Sequence, residues 1–132
     1  MAAFRTKSRV AILAVAIIGL FLLQSPGVQA HTFTASSRIG IRFEDGKFRG
    51  RVRSERPRCI KNRDVKVFKV REDRPDRLIG EDKTNDEGRY VIPKPAGVEG
   101  RFYARVTRRT TGHYQDQVHR CRAATSRIIR AP

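Results

Sequence analysis

The chain has 132 residues, of which 29 are Lys or Arg and 13 Asp or Glu, giving a formal charge of +16. That length holds one domain and no second core, and 39% hydrophobic residues are enough to build that core rather than leave the chain disordered. Two Cys exclude a Cys-rich zinc site, an iron–sulfur cluster and a disulfide-dense scaffold.

Residues 1–30 have the anatomy of a secretory signal peptide. Arg5, Lys7 and Arg9 precede an uncharged run from Val10 to Leu23. A spanning helix needs about 20 apolar residues, so this run is too short for a membrane anchor. Gln24 to Gly27 break the run, and Val28-Gln29-Ala30 offers small residues to a signal peptidase. Cleavage after Ala30 predicts a mature chain from His31 to Pro132, secreted or held at the cell envelope, with no membrane span. Residues 31–37 are expected to form a flexible N-terminus and residues 38–132 a single domain. Three basic residues and no acid leave with the signal, so 26 cations face 13 acids and the mature charge is +13.

Export delivers the chain to an oxidising space. Cys59 and Cys121 are the only pair available there, and a disulfide between them is expected. On the chain-entropy account, a loop of that size is worth about 4 kcal/mol.

The periodicity of the mature chain is that of strands. Ile39, Ile41 and Phe43 alternate with Arg38, Gly40 and Arg42. Asp45-Gly46 is a hairpin signal. Beyond it, Phe48, Gly50 and Val52 alternate with Lys47, Arg49, Arg51 and Arg53. Val65, Val67, Phe68 and Val70 place apolar residues on both faces, as a central strand does. Leu78 and Ile79 start another strand, and Tyr90, Val91 and Ile92 follow the turn from Thr84 to Gly88. Pro93 and Pro95 stop that strand. Phe102, Ala104 and Val106 alternate with Tyr103, Arg105 and Thr107. Residues 112–119 are polar, fitting a loop or an exposed edge, and residues 121–129 close the chain. No helical stripe follows Ala30. Roughly seven short strands between Gly, Pro and Asp turns predict an all-β sandwich.

Several of these segments match a known pattern. Phe48-x-Gly50-x-Val52-x-Ser54, Cys59, Arg63-x-Val65-x-Val67-Phe68, Ile79-Gly80, Thr84-x-x-x-Gly88-x-Tyr90, Gly100-x-Phe102-Tyr103-Ala104-x-Val106 and Cys121-x-x-Ala124-x-Ser126 resemble small secreted bacterial prealbumin-like proteins. That group includes the carboxypeptidase regulatory-like and collagen-adhesin B-type domains. The resemblance spans residues 38–130 and implies a seven-stranded Greek-key sandwich serving as an accessory, adhesive or structural module. Adhesin B-type domains often join a Lys to an Asn of the last strand, but residues 121–130 hold no Asn or Asp. The transthyretin-related hydrolases of the same fold end in Tyr-Arg-Gly-Ser, whereas this chain ends Ile129-Arg130-Ala131-Pro132. A hydrolase is therefore the third-ranked reading, and no enzyme activity and no cofactor are expected.

Two constellations bear on binding. Cleavage after Ala30 would free the His31 amine, which with the ring nitrogens of His113 or His119 could hold Cu(II). The bland alternative is a loose tail and two solvated histidines, and no metal is expected on balance. The stronger signal is Lys47, Arg49, Arg51 and Arg53, whose period of two puts all four on the side opposite Phe48 and Val52. Arg56, Arg58, Lys61 and Arg63 extend this row, which would attract anionic envelope or extracellular polymers. With Phe48 facing the core, no aromatic platform remains for stacking bases, so specific nucleic-acid readout is not expected. A charged, solvated face that only keeps the protein soluble is the competing reading.

Overall fold

A computed structural model describes Gly27 and residues 31–112 and 117–132. Apart from Gly27, the expected signal peptide lies outside these residues, and so does His113. The protein is all-β, with no α-helix among the described residues and none long and apolar enough to cross a membrane. Among the described residues, twelve strand segments follow in order: β1 (His31–Ala35), β2 (Arg38–Ile39), β3 (Arg42–Glu44), β4 (Lys47–Arg53), β5 (Asp64–Lys69), β6 (Arg77–Lys83), β7 (Arg89–Pro93), β8 (Gly100–Val106), β9 (Arg109–Thr110), β10 (Gln117–Cys121), β11 (Ala124–Thr125) and β12 (Ile129–Ala131). A 3-10 turn, Pro57–Cys59, lies between β4 and β5.

Asp45-Gly46 makes a two-residue hairpin, since Glu44 pairs with Lys47 and both turn residues have positive φ, 51° and 70°. This is the mirror-image turn whose twist suits a hairpin. It fixes one register for both β2 and β3 on β4: Arg38 pairs with Arg53, Ile39 with Val52, Arg42 with Arg49 and Phe43 with Phe48. The Gly40 N–H donates to the Arg51 carbonyl at 3.1 Å within that register, so β2 and β3 act as one strand. β7 lies along the other side of β4. Across the molecule, β5 pairs with β6 and β8, and both β11 and β12 pair with β8. The central position expected for β5 from its two apolar faces is what this order shows.

The two sheets share one core. Ile39, Ile41, Phe48, Val52, Tyr90 and Ile92 from the β4 sheet meet Val65, Val67, Phe102, Ala104, Val106 and Ala131 from the β5–β8 sheet. Phe48 and Phe102 touch across the interior with ring centroids 4.8 Å apart. Gly50 faces inward beneath the Tyr90 ring. A Cβ there would lie 2.6 Å from the ring carbon Cε1 and also press on the Gly40 carbonyl. Gly50→Ala should therefore cost about 1–3 kcal/mol by overpacking, measured by denaturant unfolding.

A third, small sheet departs from the expectations for both ends of the domain. Residues 31–35 are not a flexible tail: β1 pairs in parallel with β10, which also pairs with β9. Nor are residues 117–119, part of the polar stretch 112–119, a loop or an exposed edge, because β10 lies between β1 and β9 and Val118 and His119 are buried. The reason is reciprocal cover. Phe33 stacks on His119 at 5.5 Å, Arg56 lies over the Phe33 ring at 5.0 Å, and Ala35 is 1% exposed beside the two cysteines.

Cys59 and Cys121 are fully buried at disulfide distance, their Cα atoms 5.3 Å apart. Beside them lies Arg63, which the sequence pattern had placed in the surface patch but which is 0% exposed. Its guanidinium donates to the carbonyls of Cys59 (2.6 Å), Thr107 (2.8 Å) and Arg122 (3.0 Å) and to Ser37 Oγ (3.1 Å). Neutral acceptors from four separate segments take the place of a carboxylate. Burial, and then the nearby Arg109, hold this guanidinium below its ordinary pKa, against the pull of Asp64.

A candidate anion-binding face

The outer face of the β4 sheet is built by alternation. Phe48 and Val52 point inward, so Lys47, Arg49, Arg51 and Arg53 point outward, as their spacing predicted. Register then adds residues the sequence could not assign. Arg38 stands directly opposite Arg53, Arg42 opposite Arg49, and Arg89 of β7 opposite Arg51. Arg127, from the loop between β11 and β12, closes one side. These side chains line an open cleft of about 1040 Å³, together with Ser36, Ser54, Glu55 and Val91. Seven arginines and one carboxylate thus share one depression. Lys47 is outward but lies beyond the cleft. Arg56 and Arg58 belong to the segment around the 3-10 turn and do not line it, Arg56 being spent on Phe33.

Like charges directly opposite each other destabilise a sheet pair, and on the β5–β8 sheet acids answer two of three such pairs, leaving only Lys69 opposite Arg77 without one. On the β5–β8 sheet, Lys66 faces Arg105, yet it also pairs with Glu81 at 3.3 Å. Arg101 faces Arg130, yet it reaches Glu72 at 3.1 Å. Lys83 pairs with Asp64. On the β4 sheet only Arg42 has an acid, Glu44 at 3.1 Å. Arg51 Nε donates to the Glu87 carbonyl at 2.7 Å, a neutral partner. Arg49 is half-buried, and its Nε has no partner at all.

The backbone beneath the arginines is held stiffly. The Tyr90 hydroxyl donates to the Gly40 carbonyl at 2.7 Å. Burial keeps that hydroxyl far above the ordinary phenol range, so it stays a donor.

The histidines stand elsewhere. His31 and His119 lie on one face of adjacent strands, since His31 pairs with Gln117 and Phe33 with His119. His119 is 7% exposed, its Nδ1 buried without a partner. Among the described residues no group of three or more His, Cys, Asp or Glu could hold a metal. In the turn before Tyr90, Asp82 is occupied by the backbone N–H groups of Lys83 and Val91, and Asn85 by those of Glu87 and Arg89.

No protein-family model and no curated protein matches the chain. A solved structure, a 9R-lipoxygenase from Cyanothece PCC8801, matches 96% of this chain at 16% identity and a TM-score of 0.34. The chain spans 16% of that protein's length, and so slight a likeness carries no argument about fold or activity.

Proposed function

We propose that the protein is a secreted, non-enzymatic binding module that holds anionic envelope or extracellular polymers on the outer face of the β4 sheet. Residues 1–30 would leave as a signal peptide. The two facing sheets would form a prealbumin-like, seven-stranded Greek-key sandwich, counting β2 with β3 and β11 with β12, with the β1–β10–β9 sheet added at one end. The observation that carries the binding reading is the gathering of seven arginines with one carboxylate in one cleft on the outer face of the β4 sheet. On the β5–β8 sheet two of the three facing cation pairs also hold an acid, and only Lys69 with Arg77 does not. On the β4 sheet Arg38 faces Arg53, and Arg51 faces Arg89, with no acid on any of the four. A face that served only solubility would have no reason to gather seven arginines into one depression, where they repel one another.

The test separates binding from folding. Arg53→Glu with Arg89→Glu turns both like-charge pairs into opposite-charge pairs. The double variant should be no less stable than the wild type, and more stable by about 0.2–1 kcal/mol per pair. Its retention on an immobilised anionic polymer should nevertheless fall. Arg74→Glu with Arg77→Glu changes the net charge equally at exposed positions away from the cleft. Arg127 could not serve in such a control, because it lines the cleft. Wild-type retention should fall as salt rises, as displaced counterions require. Equal losses in the two double variants would mean that overall charge attracts the polymer and that no site exists.

A further inference from the structure

Resting on the binding face just described, we propose that Gly40 floors a socket for one tetrahedral oxyanion, a sulfate or phosphate ester carried on the polymer. The residues of the face fall on a grid. Along a strand, same-face neighbours are about 6.7 Å apart, and across the sheet about 4.8 Å. Gly40 is the one position on the β2–β3 edge of this grid, between Arg38 and Arg42, that bears no side chain. Its outward direction follows from the register, because Ile39 and Ile41 on either side of it point into the core. A Cβ built on Gly40 meets nothing within 4 Å, so the space above it is empty.

Three arginines neighbour that space on the grid, Arg42 being turned to Glu44 and Arg51 Nε to the Glu87 carbonyl. Arg38 and Arg42 flank it along the strand, and Arg51 stands across it on β4. Behind them are Arg53, opposite Arg38, and the half-buried Arg49, whose Nε is unpartnered. The lone pairs of a carboxylate lie in one plane, which suits one or two guanidinium forks. A sulfate or phosphate group presents oxygens in three dimensions and can accept from all three sides at once. The floor is also fixed: Gly40 O is held by Tyr90 and Gly40 N by the Arg51 carbonyl. The floor therefore needs no reorganisation to receive an anion, while Arg42 turns from Glu44 and Arg51 from the Glu87 carbonyl to meet it.

Gly40→Val tests the socket without altering charge. The open space and the absence of a positive φ at Gly40 mean that valine enters without strain, and a β-branched residue suits a strand. Protein produced by its native host is titrated with dextran sulfate, inorganic polyphosphate and carboxymethyl dextran of matched charge density. The wild type should prefer the first two, and the stronger of them names the ester. Gly40→Val should lose about tenfold on the preferred probes, as expected for one charge-assisted contact, and nothing on carboxymethyl dextran. Gly40→Ala should lose less than Gly40→Val, and thermal melting checks that both fold. If Gly40→Val binds every probe as the wild type does, or loses equally on all three, the socket is overturned while the binding face stands. If the wild type binds none of the polymers, the face itself fails, and the socket with it.

Discussion

Replacing both cysteines, Cys59→Ala with Cys121→Ala, is expected to lower the melting temperature by more than about 10 °C. The bridge joins residues 62 apart in sequence. Closing a loop that long removes about 4 kcal/mol of chain entropy from the unfolded state. For a domain of this size, each kcal/mol moves the midpoint by about 4–8 °C. The location adds to the effect. Cys59 ends the 3-10 turn after β4 and Cys121 ends β10, so the bridge ties the β1–β10–β9 sheet to the main body. Both residues are fully buried and pack with Ala35, so truncation also leaves a cavity. Thermal unfolding followed by circular dichroism measures the shift. A change below about 4 °C would show that the bridge contributes little and that packing alone holds the small sheet.

Arg63→Met should cost a comparable amount, about 3–5 kcal/mol, because several buried acceptors lose their donor at once. The guanidinium satisfies the carbonyls of Cys59, Thr107 and Arg122 and the Ser37 hydroxyl. Methionine fills part of the volume and bonds to none of them, and each stranded buried acceptor costs about 1–3 kcal/mol. Arg63→Lys should recover only part of the loss, because a point charge with three donors cannot span the same fork. Denaturant unfolding of both variants checks this. If Arg63→Met proves as stable as the wild type, water satisfies those acceptors and Arg63 is not the clamp.

The two predictions concern residues that the sequence treats very differently. The pairing of Cys59 with Cys121 needs only the inference of export and a count of two. The role of Arg63 is invisible there. It sits among Arg56, Arg58 and Lys61 and reads as one more surface cation. Its acceptors are main-chain carbonyls and a hydroxyl from four distant segments, and carbonyls leave no mark in a sequence.

The same division runs through the rest of the molecule. Alternation is a local property, so the inward set of Phe48, Val52, Phe102, Ala104 and Val106 was legible, and so was the outward row of Lys47, Arg49, Arg51 and Arg53. The Asp45-Gly46 turn was legible because left-handed backbone favours those residue types. Which strands lie beside one another is a long-range matter, and only the fold decided it. Register brought Arg38, Arg42, Arg89 and Arg127 to the row on β4 and left Arg56 and Arg58 outside the cleft. It also made a strand of His31–Ala35, whose partner, Gln117–Cys121, lies at the far end of the chain. A five-residue segment has too few apolar positions to announce itself as a strand. It becomes one because the edge of β10 offers hydrogen bonds, and His119 a face to cover, that the local sequence does not contain.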